Sequence, residues 1–141
     1  MDAIQGALLL VKLRYLDEWT DKRIEHAQFY RELFEEANID MVSTPYAREV
    51  RHIYHQFVIK VDGYRDDLQE FLGQEGIGCG VYYPAPLHLQ ECFSDLGYKE
   101  NDFPVSMDSA FNTLALPIYS ELSKKELIQV VGTIKKFSDI S

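Results

Sequence analysis

The first 37 residues constrain the fold most, because almost nothing in them interrupts a helix. Residues 2–37 contain no proline, and their one glycine, Gly6, lies near the start. The stretch is long enough for about ten helical turns. Apolar side chains recur every three or four residues along it, at Ile4, Leu8, Val11, Tyr15, Trp19, Ile24, Ala27, Tyr30 and Phe34. This spacing predicts one long helix that presents an apolar stripe to a core.

The start of this helix is apolar on every side. Residues 7–11 read Ala-Leu-Leu-Leu-Val, so large apolar side chains point in all directions around the axis. Such a segment is typical of a helix that is buried on all faces. A domain of this size can hardly surround the whole of so long a helix. Three explanations remain open: a neighbour outside the domain, the domain's own core, or a seam between two copies of the chain.

The rest of the chain alternates between strand-like and helix-like segments. Strand composition marks residues 52–61 and 77–83, and residues 114–119 read as a short extended segment. Helical spacing marks residues 64–74 and 105–114, residues 87–93 read as a helical turn, and Ser123 with Glu126 forms a capping box for a last helix over residues 124–137. The sequence therefore predicts an α/β or α+β sandwich, in which a small sheet is covered by helices and the first helix projects.

Charge and composition exclude several classes of protein. The 14 Lys+Arg against 23 Asp+Glu give a net charge of −9, which repels a nucleic-acid backbone. The longest purely apolar run, residues 7–11, is far shorter than the roughly 20 residues of a membrane span. The N-terminus has no signal-peptide pattern, and the two cysteines, Cys79 and Cys92, lack zinc-site spacing. We therefore expect a cytoplasmic protein with reduced thiols and neither a nucleic-acid nor a membrane partner.

Three motifs, in order along the chain, resemble the DegT/StrS family of sugar aminotransferases, which have the aspartate-aminotransferase fold. The first is MDAIQGA at residues 1–7, followed by KL at 12–13 and LD at 16–17; the most specific is GIGCGVYYPAPLHLQ at 76–90; the third is DFPV at 102–105 with LALPIY at 114–119. Four residues depart from the family pattern: Gly6 replaces alanine, Cys79 threonine, Tyr82 histidine and Met107 glutamate.

The resemblance covers the whole chain but only the C-terminal small domain of such an enzyme. It implies that residues 1–37 are the helix between two domains and that residues 38–141 form a small α/β unit with a mainly antiparallel sheet. It also implies that this unit contacts substrate through Tyr82, Tyr83, His88, His55 and Gln56. The activity it implies is transfer of an amino group, from glutamate, to a nucleotide-linked keto-sugar in amino-sugar or polysaccharide biosynthesis.

The same resemblance places the cofactor chemistry elsewhere. Family members hold pyridoxal phosphate on a lysine of the larger N-terminal domain, so we expect no covalent cofactor and no catalytic residue in this chain. Its lysines fall on polar helix faces or loops, whereas a Schiff-base lysine needs an apolar pocket. The chain would then be inactive alone and would need the N-terminal domain or a homodimer mate.

Two classes of function other than part of such an enzyme stay open. The first is a stand-alone, non-catalytic binding or dimerisation module with the same fold. A small independent enzyme could use Cys79 and His88 as nucleophile and base, although no third group orients them. We do not expect a metal site at His52 and His55, because a spacing of three on a strand points them to opposite faces.

Overall fold

A computed structural model describes residues 2–46 and 50–140. Helices α1 (Ala3–Leu13) and α2 (Leu16–Ala37) are followed by β1 (Val42–Ser43), β2 (Phe57–Val61), α3 (Arg65–Gln74), three short 3-10 helices (Leu87–Leu89, Glu91–Leu96 and Glu100–Asp102), α4 (Pro104–Asn112), β3 (Thr113–Leu116) and α5 (Lys124–Ser138). The predicted class is confirmed: a small antiparallel sheet covered by helices.

The sheet has three strands in the order β1-β2-β3, and both pairings are antiparallel. Phe57 lies opposite Leu116, and Ile59 lies opposite Leu114. Side chains of β2 alternate between the core and the other face, as a pleated strand requires. The inward-facing residues of β2 and β3 pack with apolar side chains of α2, α3 and α5 to form one continuous core.

The predicted single helix over residues 2–37 is wrong in one respect, because it is two helices. At the junction the amide of Arg14 donates to the carbonyl of Val11 and that of Tyr15 to the carbonyl of Lys12, so three-residue bonds replace four-residue ones. Beyond the junction the rings of Tyr15 and Trp19 stack with centroids 5.8 Å apart. Neither proline nor glycine marks this break, so the sequence pattern gave no sign of it.

Two strand predictions are wrong, because one strand is shorter than expected and the other is replaced by a loop. The strand predicted over residues 52–61 begins only at Phe57, because Tyr54 has a positive φ of 45° that interrupts the extended backbone. Residues 77–83 form no strand. They make a single bridge in which Gly80 and Ala115 exchange backbone hydrogen bonds of 3.1 and 2.8 Å. The segment therefore lies beside β3 as a loop, which leaves its side chains free to line a cavity.

Helix α5 is as predicted, including its capping box. The amide of Glu126 donates to the hydroxyl of Ser123, and the Glu126 carboxylate accepts from the Ser123 amide at 2.8 Å. The hydrogen bonds from Ser123 lower the pKa of the Glu126 carboxyl. Within the described residues no helix is long and apolar enough to cross a membrane.

Helix α1 has no buried residue, which rules out the domain's own core as the explanation of its apolar start. Its large apolar side chains are all at least 52% exposed: Ile4, Leu8, Leu9, Leu10, Val11 and Leu13. With the first turn of α2 it forms an apolar groove of about 510 Å³, lined by Gly6, Leu9, Leu10, Lys12, Leu13, Leu16 and Trp19. We call this the α1 groove. A neighbour outside this unit and a second copy of the chain both remain as occupants.

Candidate functional site

A cavity of about 460 Å³ lies between the loop that follows Gly80 and helix α4. It brings together three of the residues predicted to contact substrate, Tyr82, Tyr83 and His88. The remaining lining residues are Ala85, Pro86, Leu87, Gln90, Phe103, Val105, Ser106, Ser109, Ala110 and Thr113. We call it the first cavity.

Proline placement explains why these elements meet. Pro84 and Pro86 fix the backbone of the loop, and Pro104 occupies the first position of α4, where its missing N–H is no loss. Helix α4 then passes into β3 at Thr113 without an intervening loop. The end of α4 is thereby fixed at the start of β3.

The first cavity has an aromatic and hydroxyl-bearing wall without charged groups. Tyr82 and Tyr83 are 55% and 73% exposed, so their rings remain available to a ligand. The His88 ring packs against Phe103 with centroids 4.8 Å apart, and its buried Nε2 has no hydrogen-bond partner among the described residues. Apolar ring surfaces with a few hydrogen-bonding groups suit a polar ring such as a sugar.

The other two predicted substrate residues line a second, smaller cavity. His55 and Gln56 border a space of about 310 Å³ together with Gly78, Cys79, Gly80, Tyr82, Ala115, Leu116, Pro117 and Ile118. Tyr82 lines both cavities. A Cβ at Gly80 would approach the Tyr82 ring to about 3.1 Å, so glycine lets this ring lie close to the backbone.

The arrangement of Cys79 and His88 does not support a nucleophile and base pair. Cys79 lines the second cavity and His88 the first. The Cys79 thiol points at the carbonyl of Gln69, 3.9 Å away, and burial raises its pKa. A raised pKa disfavours the thiolate that nucleophilic chemistry needs. Among the described residues there is also no cluster of three potential metal-binding side chains.

No lysine lines either cavity. Among the described residues, carboxylate partners outside the cavities hold Lys22, Lys60, Lys135 and Lys136. Lys60 contacts Asp108 at 3.0 Å and Lys22 contacts Glu18 at 2.9 Å, and these hydrogen bonds raise the pKa of both amines. A lysine that forms an imine needs the opposite shift, toward a neutral amine. The walls therefore do not fit the covalent attachment of pyridoxal phosphate.

Sequence reasoning missed the α4 side of the first cavity. Ser106 and Ser109 lie three residues apart on one face of α4, and Thr113 follows the last residue of the helix; all three line the cavity. The Thr113 hydroxyl donates to the carbonyl of Ser109 at 2.7 Å and can still accept a hydrogen bond. The spacing was readable in the sequence, but only the structure shows that these three residues line a cavity.

Comparison with known proteins defines the class to which this fold belongs. The S. venezuelae DesV structure, in complex with a ketimine intermediate, matches with a TM-score of 0.90 and 26% identity over 99% of this chain and 37% of that one. A pleiotropic regulatory protein of Geobacillus stearothermophilus is 44% identical over 97% of this chain and 37% of its own length. A dTDP-3-amino-3,6-dideoxy-alpha-D-galactopyranose transaminase of Aneurinibacillus thermoaerophilus is 29% identical over 97% of this chain and 36% of its own length. The fold is that of an aminotransferase domain.

The family model described as DegT/DnrJ/EryC1/StrS aminotransferase matches residues 1–135. The chain belongs to this family, which confirms the resemblance drawn from its motifs. Enzymes of the family depend on pyridoxal phosphate, and the related proteins include sugar aminotransferases of nucleotide-sugar metabolism. The chain spans little more than a third of the length of the relatives it matches.

Proposed function

We propose that this chain is the substrate-contacting C-terminal domain of an aminotransferase that transfers an amino group, from glutamate, to a nucleotide-linked keto-sugar. The observation that carries the proposal is the first cavity, which joins Tyr82, Tyr83 and His88 to the hydroxyl-bearing face of α4. Membership of a sugar aminotransferase family supports a sugar as the ring that this wall contacts. His55 and Gln56 would contact an adjoining part of the substrate from the second cavity.

The cofactor and the phosphates of the substrate would be held by a different part of the enzyme. None of the residues that line the two cavities is lysine or arginine, and the chain as a whole carries a net charge of −9. Lysine and arginine side chains, which form strong charge-assisted hydrogen bonds to phosphate oxygens, are therefore missing from both walls. In this proposal the chain supplies the neutral sugar-ring wall, and its partner supplies the charged contacts and the imine-forming amine.

The partner surface in this proposal is the α1 groove. Its apolar side chains are exposed in the 141-residue unit, although a soluble protein rarely exposes a large contiguous apolar patch. A stand-alone dimerisation module is the second candidate function, and the same groove favours it. The two candidates differ in what covers the groove: the remaining part of an aminotransferase or another copy of this chain.

Titration of the isotope-labelled chain with methyl α-D-glucopyranoside tests the sugar-ring proposal. We expect NMR signals of Tyr83, His88 and Ser109 to shift, because these residues line the first cavity. We expect dTDP-glucose to bind no more tightly than the uncharged glycoside, since the wall offers no cation to its diphosphate. Replacement of His88 by alanine should weaken binding roughly fivefold, as expected for one lost hydrogen bond.

His26→Ala is the matched control for this titration. His26 is on α2, where its Nδ1 lies 3.1 Å from the carbonyl of Tyr119, and it lines neither cavity. Binding by this variant should equal that of the wild type. If the glycoside leaves the cavity signals unchanged, or if both histidine variants behave alike, the assignment of the first cavity to a sugar ring is wrong.

Reductive trapping tests the assignment of the cofactor to another part of the enzyme. We expect borohydride treatment of the chain with pyridoxal phosphate to yield at most slow, scattered modification of exposed lysines. The cavities hold no lysine whose environment favours a neutral amine. Intact-mass analysis and peptide mapping would give the distribution, with free lysine as the reference for non-specific reaction. A stoichiometric adduct on a single lysine would contradict the proposal.

A further inference from the structure

Arg65 donates hydrogen bonds to two residues that line the first cavity but does not line it itself. It is the first residue of α3 and is only 7% exposed. Its Nη1 donates to the carbonyl of Ala110 at 3.0 Å and to that of Thr113 at 3.1 Å. Both acceptors belong to residues that line the cavity, and they flank the point where α4 becomes β3. The guanidinium thus satisfies the Ala110 carbonyl, which the end of α4 leaves without a helical partner, and the carbonyl of Thr113, the first residue of β3.

Arg23 makes the same kind of contact behind the second cavity. From α2, its Nη1 donates to the carbonyl of Ile118 at 2.9 Å and to that of His55 at 3.3 Å. Ile118 and His55 both line the second cavity, and neither arginine lines a cavity itself. Each bridge joins segments far apart in the sequence, as only a long side chain with several donors can do.

We propose that Arg65 and Arg23 are positioning residues that set the shapes of the first and second cavities, respectively, by holding two wall carbonyls each. Any effect of this positioning on substrate rests on the function proposed above. A general contribution to the fold does not account for the pairing, because all four carbonyl acceptors belong to wall residues and each arginine serves one cavity. Arg65 has one further acceptor, the Asp66 carboxylate, which lies outside both cavities and pairs with Nε rather than with the nitrogen that holds the wall. Tyr82, which lines both cavities, would then contact two walls that are fixed independently of each other.

A crossed pair of substitutions tests this inference. Lysine keeps the charge and most of the apolar stem but loses the planar fork, so Arg65→Lys and Arg23→Lys should fold while giving up at least one carbonyl contact each. We expect Arg65→Lys to move the carbonyl ¹³C signals of Ala110 and Thr113 and to leave those of His55 and Ile118 in place. Arg23→Lys should give the reverse pattern. Affinity for methyl α-D-glucopyranoside should fall about tenfold in Arg65→Lys, the effect of one charge-assisted hydrogen bond.

Val130→Ala serves as the control for lost stability. Val130 is a buried residue of α5, a helix that packs on α2 and α3, and it lines neither cavity. It should lower the melting temperature without moving the four carbonyl signals or the affinity. Arg65→Lys would overturn the inference if its carbonyl signals moved while its affinity matched that of Val130→Ala.

The crossed pattern also separates this inference from the proposed function. If the wild type does not respond to the glycoside, the sugar assignment fails, and the positioning inference is decided by the amide signals of Ser109 and Gln56. It stands if Arg65→Lys shifts Ser109 alone and Arg23→Lys shifts Gln56 alone. It fails if the two substitutions shift both signals alike.

Discussion

Replacement of Phe57 by alanine should destabilise the chain by about 3–5 kcal/mol, a large fraction of the total stability of a domain this size. Phe57 is completely buried at the start of the central strand. Its ring lies 4.9 Å from that of Tyr30 and 6.2 Å from that of Tyr54, centroid to centroid, so it joins α2 to the sheet. Removing it leaves a cavity that neither the strand nor the helix can close, because both are fixed by other contacts.

Urea denaturation followed by circular dichroism measures this loss. Phe111→Ala is the matched control, since it removes the same ring from a position that is 58% exposed. It should cost less than about 0.5 kcal/mol, as surface substitutions usually do. Equal losses for the two variants would show that the core does not centre on β2.

The double substitution Leu9→Asp and Leu13→Asp in the α1 groove should abolish self-association of the isolated chain. We expect the wild type to cover this surface with a second copy when nothing else is present, because the two leucines are 52% and 61% exposed. Burying one leucine stabilises a contact by about 1.5–3 kcal/mol, so losing two weakens it by at least about a hundredfold. Light scattering should then report the monomer mass of 16.3 kDa.

The double variant should fold normally, because α1 has no buried residue in the 141-residue unit. Ile128→Asp is its control, as Ile128 is 52% exposed but lies on α5, away from the groove. A wild type that is monomeric at every concentration would rule out a second copy of the chain as the occupant of the α1 groove. Displacement of self-association by a co-expressed, lysine-bearing aminotransferase domain would favour the enzyme over the dimerisation module.

The parts of the fold that sequence predicted are those where local and tertiary preferences agree. The capping box at Ser123 begins α5 as expected, and the apolar stripe at Ala27, Tyr30 and Phe34 faces the core. The motif at residues 76–90 was predicted to carry substrate contacts, and the structure gathers Tyr82, Tyr83 and His88 in one cavity. Composition alone could not have grouped them, and it was the resemblance that singled them out; their contact with substrate stays a prediction.

The parts that sequence did not predict depend on contacts between distant segments. The positive φ of Tyr54 shortens β2, although tyrosine is a good strand former. Residues 77–83 have strand composition but make only one bridge to β3. The roles of Arg65 and Arg23 lie in acceptors more than 30 residues away. No local pattern encodes such pairings, and so they become visible only in three dimensions.

The membership of Tyr82 in both cavity walls has a thermodynamic consequence. A ligand in one cavity that selects one orientation of this ring also sets the shape of the other cavity. Two groups that never touch would therefore be coupled through one side chain. Linkage makes this coupling mutual: whatever occupancy of the first space changes in the affinity of the second, occupancy of the second changes in the affinity of the first by the same free energy.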